Sequence, residues 1–390
     1  MHKRIEKIEV FVFERPRDAT YLGDLGEGQF ALGDSHIVRR FNGTVYPRFD
    51  RSLVLRLTDT DGATGWGETY GLVAPKAAAA LIEDLLGPYL MMLDPARPDA
   101  TWDALYELQR VRGYWGGYLA DTLAALDIAL WDLYSRSRGE SLQAALGKPG
   151  AGHLPAYVSG LPGASKAERL ELAQNWQARG FDKVKIPVSH SDDGDITGEF
   201  YSLRNGLGDG QKIAVDVHWT CTADDAIAMA NSLAPFNPWF FEAPVASEDI
   251  AAQHAVGKAI ACALALGEEW RTEWDYRPRA GAASIVQPEM GHTGVTQFLR
   301  IAERGRKDGT QLIPHATIGL GIFANASLRA GLAAQAEAHE FQHTIYPANA
   351  VLLDGAATCD AGAFHIPDSA GHGTIPNEDG MAHLRPLLTL

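Results

Sequence analysis

From about residue 153 onward, short apolar segments alternate with capped helical segments, a rhythm that predicts a parallel α/β fold. Eight of the apolar segments predict strands: LPAYVSG, KVKIPV, KIAVDVH, WFFEAPV, CALALGEE, SIVQPE, QLIPHA and AHEFQ. Between them, Ser165 and Thr222 stand where helices would begin, and Gly180 and Gly309 stand where helices would end. Eight strands in this order favour a (β/α) barrel over an open sheet.

The residues before this region predict a separate α+β unit. Residues 5–14 alternate as a strand does, and 52–70 contain two strand-like runs around Asp61-Gly62, a strong hairpin signal. Helical stretches follow at about 75–92 and 99–112. The next stretch, YLADTLAALDIALWDLYSR at 118–136, is apolar on nearly all sides and predicts a buried helix. Two domains agree with a length of 390 residues, which is more than one hydrophobic core usually supports.

Composition excludes several classes of function. The formal net charge is -15 and no face rich in Lys and Arg offsets the 49 acidic residues, so nucleic-acid binding is not expected. The cysteines, Cys221, Cys262 and Cys359, form no C-x-x-C pattern, which argues against a disulfide framework and a thiolate metal site. The sequence has no apolar stretch of about 20 residues, so we expect no membrane span and predict a cytoplasmic protein.

The predicted strands end on polar residues. In a barrel the C-terminal ends of the strands form a mouth, and active sites lie there. The steps from Asp216 to Glu242 to Glu268 are 26 residues each, and those from Glu289 to His315 to Glu340 are 26 and 25, about the length of one strand, one helix and their loops. The set consists of Lys183, Lys185, Asp216, His218, Glu242, Glu268, Glu289, His315 and Glu340.

Asp216, Glu242 and Glu268 predict a metal site. Glu242 ends the apolar run WFF, where an unpaired charge would cost several kcal/mol to bury. Three carboxylates in one mouth repel one another, and a divalent cation that they share removes this repulsion. All-oxygen ligation without Cys or His favours Mg²⁺, with Mn²⁺ as a substitute.

Two lysines and a histidine predict proton transfer. Side chains alternate across a strand, so Lys183 and Lys185 face the same way. Two close ammonium groups beside a dication lower a lysine pKa toward the working pH, which makes Lys185 a candidate general base. His315 lies across the barrel, where Glu289 on the neighbouring strand can hold one nitrogen of its imidazole.

Each of these residues also has a plainer interpretation. The three carboxylates can be surface acids at helix starts, the two lysines a solvated strand edge, and His315 a structural histidine. His218 faces the same way as Asp216, which alone explains a polar strand end. Glu340 lies in AEAHEFQH, the weakest of the predicted strands, so a surface role is as good an interpretation as a catalytic one.

Taken in order, the motifs resemble those of a known family. Lys-x-Lys at 183–185, VDVH, FFEAP, GEEW, QPE followed by Gly, PHATIG and a late Glu are similar to the mandelate racemase subgroup of the enolase superfamily, as are DGATGWGE and ALDIALWDL. The resemblance covers nearly the whole chain. It implies an α/β fold, a modified (β/α)7β TIM-type barrel at 136–350 beneath an α+β N-terminal capping domain at 1–135. Residues 351–390 would pack back on the capping domain.

The resemblance also implies roles for the strand-end residues. The three carboxylates would hold Mg²⁺. Lys185, tuned by Lys183, would be one acid/base group. His315, paired with Glu289, would be the other, on the opposite face of the substrate. Glu340 would hydrogen-bond the substrate carboxylate.

Other positions decide how closely the family pattern applies. Loops near Tyr21 to Gly28 and Arg40 to Arg48 would close over the mouth and select the substrate. Glu289 stands where Asp after Pro is usual, and Gly294-Val295 replaces Gly-Gly. The sixth strand does not end in a lysine, which argues against the muconate-lactonizing branch.

The function implied is removal of the proton α to a carboxylate, with Mg²⁺ stabilising the enediolate. His218, two residues beyond the first metal ligand, resembles an acid of acid-sugar dehydratases, so we predict a hydro-lyase that converts an aldonate or aldarate to a 2-keto-3-deoxy acid. The alternatives are a racemase, epimerase or lactone cycloisomerase, and more remotely a non-catalytic sugar-acid binder. The expected partners are a small carboxylate substrate and further copies of the chain.

Overall fold

The first part of the chain forms antiparallel strands followed by helices. The computed structural model describes residues 3–17, 30–38, 44–188, 195–317 and 319–390. The strands of the first unit are β1 (Ile5–Pro16), β2 (Phe30–Leu32), β3 (His36–Val38), β4 (Val45–Pro47), β5 (Phe49–Asp59) and β6 (Thr64–Tyr70). The helices are α1 (Pro75–Leu81), α2 (Gly87–Leu90), α3 (Pro98–Arg110) and α4 (Gly117–Ser137), with a π-helical turn at Ile82–Leu86.

The predicted hairpin is confirmed, because β5 and β6 pair antiparallel. Asp59 fixes the turn, since its Oδ1 accepts hydrogen bonds from the backbone N–H groups of Asp61 and Ala63. Gly62 has a φ of 81°, which favours glycine. β1 pairs with the other edge of β5, while β2, β3 and β4 form a small separate sheet. Strand and helix residues together form the core of this unit, including Ile8, Val10, Leu55, Ile82, Leu86, Leu123 and Leu126.

Eight parallel strands form the predicted barrel after a short helix, α5 (Leu142–Ala145). The strands are β7 (Gly152–Ser159), β8 (Lys183–Pro187), β9 (Lys212–Asp216), β10 (Phe240–Glu242), β11 (Ala263–Leu266), β12 (Ile285–Val286), β13 (Gln311–Leu312) and β14 (His339–Phe341). Within the described residues seven helices separate them, which is the (β/α)7β arrangement: α6 (Lys166–Ala178), α7 (Ile196–Leu207), α8 (Ala223–Leu233), α9 (Ile250–Ala259), α10 (Glu273–Tyr276), α11 (Met290–Lys307) and α12 (Ile322–Ala333).

The predicted helix ends are also confirmed. The hydroxyl oxygens of Ser165 and Thr222 each accept a hydrogen bond from the backbone N–H three residues later. Gly180 and Gly309 have φ of 91° and 82°, the left-handed conformation that ends helices. Among the helices in the described ranges, none is long and apolar enough to cross a membrane.

The barrel closes through β14. This strand pairs in parallel with β7, and on its other side the N–H of Glu337 donates to the carbonyl of Leu312 at 2.9 Å. Alanine, isoleucine and aromatic side chains fill the interior: Tyr157, Ala214, Phe240, Ala265, Ile285, Ile313 and Ala338. Most of them lie two positions before a polar residue, so side-chain alternation puts those polar residues in the next layer, at the mouth.

The C-terminal segment divides between the two units. After α13 (Tyr346–Ala350), the strands β15 (Leu353–Asp354), β16 (Thr358–Asp360), β17 (Ala363–Ile366) and β18 (Ile375–Pro376) are followed by α14 (Glu378–Ala382) and β19 (Leu384–Thr389). β19 pairs antiparallel with β1 of the first unit, but β17 pairs antiparallel with β7 of the barrel. The expectation that 351–390 returns to the first unit is therefore wrong for 358–366, because the edge of β7 offers these residues a hydrogen-bonding partner. The predicted boundary after residue 135 falls inside α4.

Four buried carboxylates lie at the contact between the two units, which we call the interdomain seam: Glu68 on β6 and Asp121, Asp127 and Asp132 on α4. Asp127 accepts hydrogen bonds from the backbone N–H and the hydroxyl of Thr296, at 2.7 Å each. Asp132 accepts from the backbone N–H groups of Trp66, at 3.0 Å, and His372, at 2.8 Å. The seam is therefore held by carboxylates that receive specific donors.

Arg271 and two histidines complete the seam. Asp121 Oδ1 accepts a hydrogen bond from Arg271 Nε at 3.0 Å and lies 2.7 Å from His292 Nδ1. His372 Nε2 lies 2.9 Å from the carbonyl oxygen of Trp66. Burial lowers the pKa of His372 to about 4, so this histidine is neutral at pH 7.

Candidate active site

The polar strand ends meet at the mouth of the barrel. Asp216 ends β9 and Glu242 ends β10, and the two residues stand side by side in the parallel register. Glu340 lies in the middle of β14, beside Tyr157 of β7. These three acidic residues are 5%, 0% and 1% exposed, respectively. Carboxylates buried so deeply need cations close by.

Lys185 supplies the first cation. Its Nζ lies 2.6 Å from Glu242 Oε1, 3.0 Å from Glu340 Oε1 and 3.4 Å from Asp216 Oδ2. Burial alone would lower the pKa of Lys185, but the three carboxylates outweigh burial and hold the pKa well above its usual value. The ammonium group is therefore the common partner of three acidic residues from three strands.

Lys183 does not join the acidic residues around Lys185, and its predicted effect on the pKa of Lys185 beside a dication remains a prediction. Lys183 begins β8, and its Nζ lies 2.6 Å from Oδ1 of Asp182, whose side chain is 61% exposed. The ammonium group of Lys183 is therefore paired at the start of the strand, not with the acidic residues around Lys185. Side-chain alternation predicts that the two lysines face the same way, but the flexible side chain of Lys183 reaches the adjacent Asp182 instead of the mouth.

Glu268 follows β11 and faces Glu242 and His315. One ligand atom from each of these three residues lies within 4.8 Å of the other two. Glu268 Oε2 is buried without a hydrogen-bond partner among the described residues, although His315 Nε2 lies 3.4 Å away. Burial raises the pKa of Glu268 well above its usual value. An acceptor of this kind is available to a ligand.

His315 follows β13 and is joined to Lys185 through Glu340. Its Nδ1 lies 2.8 Å from Glu289 Oε2, and its Nε2 lies 3.6 Å from Glu340 Oε2. Burial alone would lower the pKa of His315, but the charges of the glutamates around it, Glu268 first, raise the pKa well above its usual value. His315 and Lys185 thus enclose one carboxylate.

Glu340 is ionised in this arrangement. Burial would raise its pKa, but the charges of Lys185 and His315 lower the pKa to about 2. Glu340 Oε2 accepts a hydrogen bond from the backbone N–H of Ala316 at 2.9 Å, and its Oε1 accepts one from Gln342 at 3.1 Å. An ionised carboxylate only accepts hydrogen bonds, so the predicted hydrogen bond to a substrate carboxylate requires a proton on Glu340.

Glu289 reaches His315 despite its extra methylene group. Its Oε1 accepts a hydrogen bond from the N–H of Gly291 at 3.1 Å, as the N-cap of α11, and its Oε2 accepts one from the N–H of Thr317 at 2.7 Å. Because backbone donors fix both oxygens, the imidazole that contacts Oε2 is fixed as well. The departure from the usual Asp therefore preserves the contact.

His218 lies beside Asp216 on a strained backbone. Its Nε2 is 3.3 Å from Asp216 Oδ2. His218 and Trp219 have φ of 51° and 57°, a region that costs energy for residues other than glycine. In the part of the chain that the structure describes, His218 Nδ1 is buried and has no hydrogen-bond partner.

The residues of the mouth fit a hard divalent cation. Glu242 and Glu268 bring carboxylate oxygens together, and the unpartnered Oε2 of Glu268 is a suitable ligand atom. Asp216 is not in the group whose ligand atoms lie within 4.8 Å of one another, and it approaches Glu242 through Lys185. The set of three carboxylate ligands remains a prediction.

Sequence analysis missed three residues of the site. Gln287 lies two residues before Glu289, and its Nε2 donates a hydrogen bond to Glu242 Oε2 at 2.9 Å while its Oε1 is a further buried acceptor without a described partner. The alternation of side chains along SIVQPE was the available signal. Gln342 lies two residues after Glu340 and donates a hydrogen bond to its Oε1 at 3.1 Å. Tyr70 comes from the other unit, and its hydroxyl interacts with the side chain of Thr317, two residues after His315, so no local pattern indicates it.

Most residues of the two loops expected to select the substrate lie outside the described residues. Tyr21 to Gly28 lies outside the described residues, and so do positions 40–43 of the second loop. Residues 45–47 form β4, which pairs with β3.

Two family models match the chain. The model "Enolase C-terminal domain-like" matches residues 168–380, and the model "Mandelate racemase / muconate lactonizing enzyme, N-terminal domain" matches residues 45–147. Together with the capped barrel and its acidic mouth, these matches define an enzyme of the capped-barrel class. The chain belongs to the enolase superfamily, in its mandelate racemase and muconate lactonizing enzyme group.

Individual relatives narrow the comparison. A solved structure of an enolase superfamily member from Agrobacterium tumefaciens is 46% identical, covers 99% of this chain and 100% of that chain, and has a TM-score of 0.95. A D-galactarolactone cycloisomerase from Agrobacterium fabrum is 28% identical over 357 residues, 87% of this chain and 93% of the relative. A D-galactonate dehydratase from Xanthomonas euvesicatoria is 28% identical over 291 residues, 71% of this chain and 74% of the relative.

Proposed function

We propose that this enzyme is a Mg²⁺-dependent dehydratase of an acid sugar, an aldonate or aldarate, that gives a 2-keto-3-deoxy acid. The observation that carries the proposal is the placement of Lys185 and His315 on either side of Glu340, within one acidic mouth. Removal of a proton α to a carboxylate needs a base, and departure of the β-hydroxyl needs an acid. A D-galactonate dehydratase among the relatives supports this choice of reaction.

Asp216, Glu242 and Glu268 would hold the Mg²⁺. When bound, the ion would supply positive charge that stabilises the enediolate form of the substrate. Gln287 would orient Glu242, since it already holds one of its oxygens at 2.9 Å. Glu340 would keep Lys185 and His315 facing the same space.

Lys185 and His315 would exchange protons with the α-carbon, and the configuration there would decide which of them takes the first proton. With Nδ1 of His315 directed to Glu289, the exchanging atom of this residue is Nε2. His218, with its buried unpartnered Nδ1, would protonate the departing β-hydroxyl, so that water leaves. The enol that remains would tautomerise to the keto acid.

A lactone cycloisomerase is the second candidate. The D-galactarolactone cycloisomerase matches a larger share of this chain than the dehydratase does. The same α-proton would be removed, but the leaving β-oxygen would be the ring oxygen of the lactone. His218 would then protonate a carboxylate leaving group, which needs less assistance than hydroxide, so loss of His218 separates the two reactions.

The test is NMR in D₂O with the Mg²⁺-loaded enzyme and a panel of aldonates, aldarates and their lactones. The proposal predicts loss of water from at least one acid sugar and formation of its 2-keto-3-deoxy acid. Exchange of the α-proton for deuterium without loss of water, for every member of the panel, contradicts it. Ring opening of a lactone without dehydration supports the second candidate, and binding of acid sugars with no exchange at all supports a non-catalytic binder.

A further inference from the structure

The end of β6 reaches the two segments that carry the His315–Glu289 pair. Glu68, Thr69 and Tyr70 belong to the first unit, whereas His315 and Glu289 belong to the barrel. Both catalytic candidates lie just after short strands, β13 and β12, whose regular hydrogen bonding ends before them. Something other than the strands must therefore fix the backbone on which the pair stands.

Glu68 fixes the segment that follows His315. Its carboxylate is fully buried and accepts a hydrogen bond from the hydroxyl of Ser52 at 2.5 Å. It also accepts hydrogen bonds from four consecutive backbone N–H groups at the start of α12, those of Leu320 at 2.5 Å, Gly321 at 3.1 Å, Ile322 at 2.7 Å and Phe323 at 3.1 Å. These N–H groups have no partner within the helix, and a negative charge at this end is stabilised by the helix dipole.

The chain is shaped to admit this carboxylate. A Cβ at Gly319 would lie 2.2 Å from Glu68 Oε1, closer than two such atoms can approach. Gly321 has a φ of 118°, which favours glycine. Residues 319–321, which lead into α12, are therefore built around one side chain of the other unit.

Thr69 and Tyr70 reach the residues that hold Glu289. The hydroxyl of Thr69 donates to the carbonyl of Gly291 at 2.5 Å, and the N–H of Gly291 donates to Glu289 Oε1. The hydroxyl of Tyr70 interacts with the side chain of Thr317, whose N–H donates to Glu289 Oε2. Both backbone donors of Glu289 are thus contacted by neighbours of Glu68.

We propose that the end of β6 is a positioning element for the His315–Glu289 pair, and that Glu68 is its principal positioning residue. Glu68 does not touch the substrate; it sets where His315 and the N–H groups of Ala316 and Thr317 stand. The inference rests on the proposed function only in treating His315 as an acid/base group. The competing interpretation is that Glu68 merely joins the two units, as Asp132 does.

Asp132 provides a matched control. It is also a fully buried carboxylate of the interdomain seam, and it also accepts two backbone N–H donors from distant segments, those of Trp66 and His372. Neither donor is near His315 in the chain. Trp66 lies on β6, but the pairing with β5 holds that strand independently of Asp132. Glu68→Gln and Asp132→Asn make the same chemical change, because each replaces one acceptor oxygen with an amide donor.

The first measurement is hydrogen–deuterium exchange of Glu68→Gln, Asp132→Asn and the unchanged enzyme, without substrate and far below their melting temperatures. We expect amide exchange at 315–323 to rise about tenfold in Glu68→Gln and to stay unchanged in Asp132→Asn. This measurement needs no turnover, so it decides the proposal even if the acid-sugar reaction is not found.

The second measurement is steady-state kinetics with a substrate found by the NMR panel. Glu68→Gln should lower kcat about tenfold to a hundredfold with KM within about twofold, since misplacing a catalytic group by less than 1 Å has effects of this size. Asp132→Asn should change neither. Unchanged exchange and kcat in Glu68→Gln, or equal losses in the two variants, would overturn the proposal.

Ser52→Ala keeps the proposal testable if Glu68→Gln does not fold. It removes one hydrogen bond from Glu68 and leaves the charge and the backbone donors in place. The same two effects should appear with smaller amplitude, about twofold to fivefold in exchange at 315–323. Wild-type exchange and wild-type kcat in Ser52→Ala would count against Glu68 as the positioning residue.

Discussion

The mouth and the interdomain seam both bury carboxylates, but they satisfy them differently. In the seam, Glu68 receives four backbone N–H donors and one hydroxyl, and Asp127 receives both donors of Thr296. In the mouth, Glu268 Oε2 and Gln287 Oε1 are buried acceptors with no hydrogen-bond partner in the described ranges. Fully paired carboxylates serve the fold, whereas acceptors left open indicate where a ligand binds.

Histidines show the same contrast. His372 in the seam has a pKa lowered to about 4 by burial, and a carbonyl and a hydroxyl lie beside its two nitrogens. His315 in the mouth has a raised pKa because glutamates outweigh its burial. The pKa values of the two imidazoles therefore shift in opposite directions because their partners differ: His372 has one carboxylate near it, whereas His315 has three.

The largest expected effect is on turnover. Lys185→Ala should lower kcat about a thousandfold, because it removes an acid/base group together with the cation shared by three carboxylates. Lys212→Ala is the control, since that lysine pairs with the partly exposed Glu337 away from the mouth and should leave kcat within about twofold. The rates are measured on the same acid sugar. Equal kcat values for the two variants would show that Lys185 takes no part in the reaction.

The next effect is on stability without divalent cations. Asp127→Ala should lower the free energy of unfolding by about 3 kcal/mol, because the backbone N–H of Thr296 and the O–H donor of its side chain both lose their acceptor. Glu268→Gln should change it by less than about 1 kcal/mol, because that carboxylate has a raised pKa and an open acceptor. Urea unfolding in EDTA gives both values. A loss at Glu268 as large as that at Asp127 would erase the distinction between mouth and seam.

Mg²⁺ should stabilise the mouth and leave the seam untouched. At a concentration about 100 times its dissociation constant, a bound ion adds about 2.7 kcal/mol to the free energy of unfolding. We expect a corresponding rise in melting temperature for the unchanged enzyme and for Asp127→Ala. Glu268→Gln should lose the rise, since it removes a predicted ligand. A full rise in the melting temperature of Glu268→Gln would show that the ion binds elsewhere.

The smallest effect is a pH dependence confined to the seam. Because the pKa of His372 is about 4 in the folded protein and about 6.5 in the unfolded chain, the unfolded chain binds the proton more readily below pH 6.5. The contribution of His372 is thus present above pH 6.5 and falls by about 2 kcal/mol between pH 7 and pH 5. Urea unfolding of the unchanged protein and of His372→Gln at both pH values isolates this contribution. A constant difference between them would mean that His372 is charged in the fold.

The barrel, and most of the residues that line its mouth, were predictable from local sequence patterns. Strand-end residues such as Asp216 and Glu242 follow from the regular spacing of strand–helix units, and their shared direction follows from side-chain alternation. The contact between His315 and Glu289 follows from adjacent strands. These features depend on two repeats that can be read from a sequence: the alternation of side chains along a strand, and the length of one strand–helix unit.

The partners within the mouth and across the seam were not predictable in the same way. Lys183 pairs with its neighbour Asp182, and the alternation of side chains along a strand does not predict this ion pair. Glu68 accepts a hydrogen bond from the N–H of Leu320, 252 residues away in the sequence, and no local pattern near either residue predicts this contact. The raised pKa of Lys185 depends on three carboxylates from three strands, which no local pattern indicates.

Glu289 combines two tasks in one side chain. One oxygen begins α11 and the other holds the imidazole of His315. A mutational library at this position would therefore be selected simultaneously for helix initiation and for base orientation, and a substitution that retuned the base alone would also have to supply a new cap. Evolution toward other chemistries on this scaffold is therefore constrained more at residue 289 than at positions where a side chain has a single task.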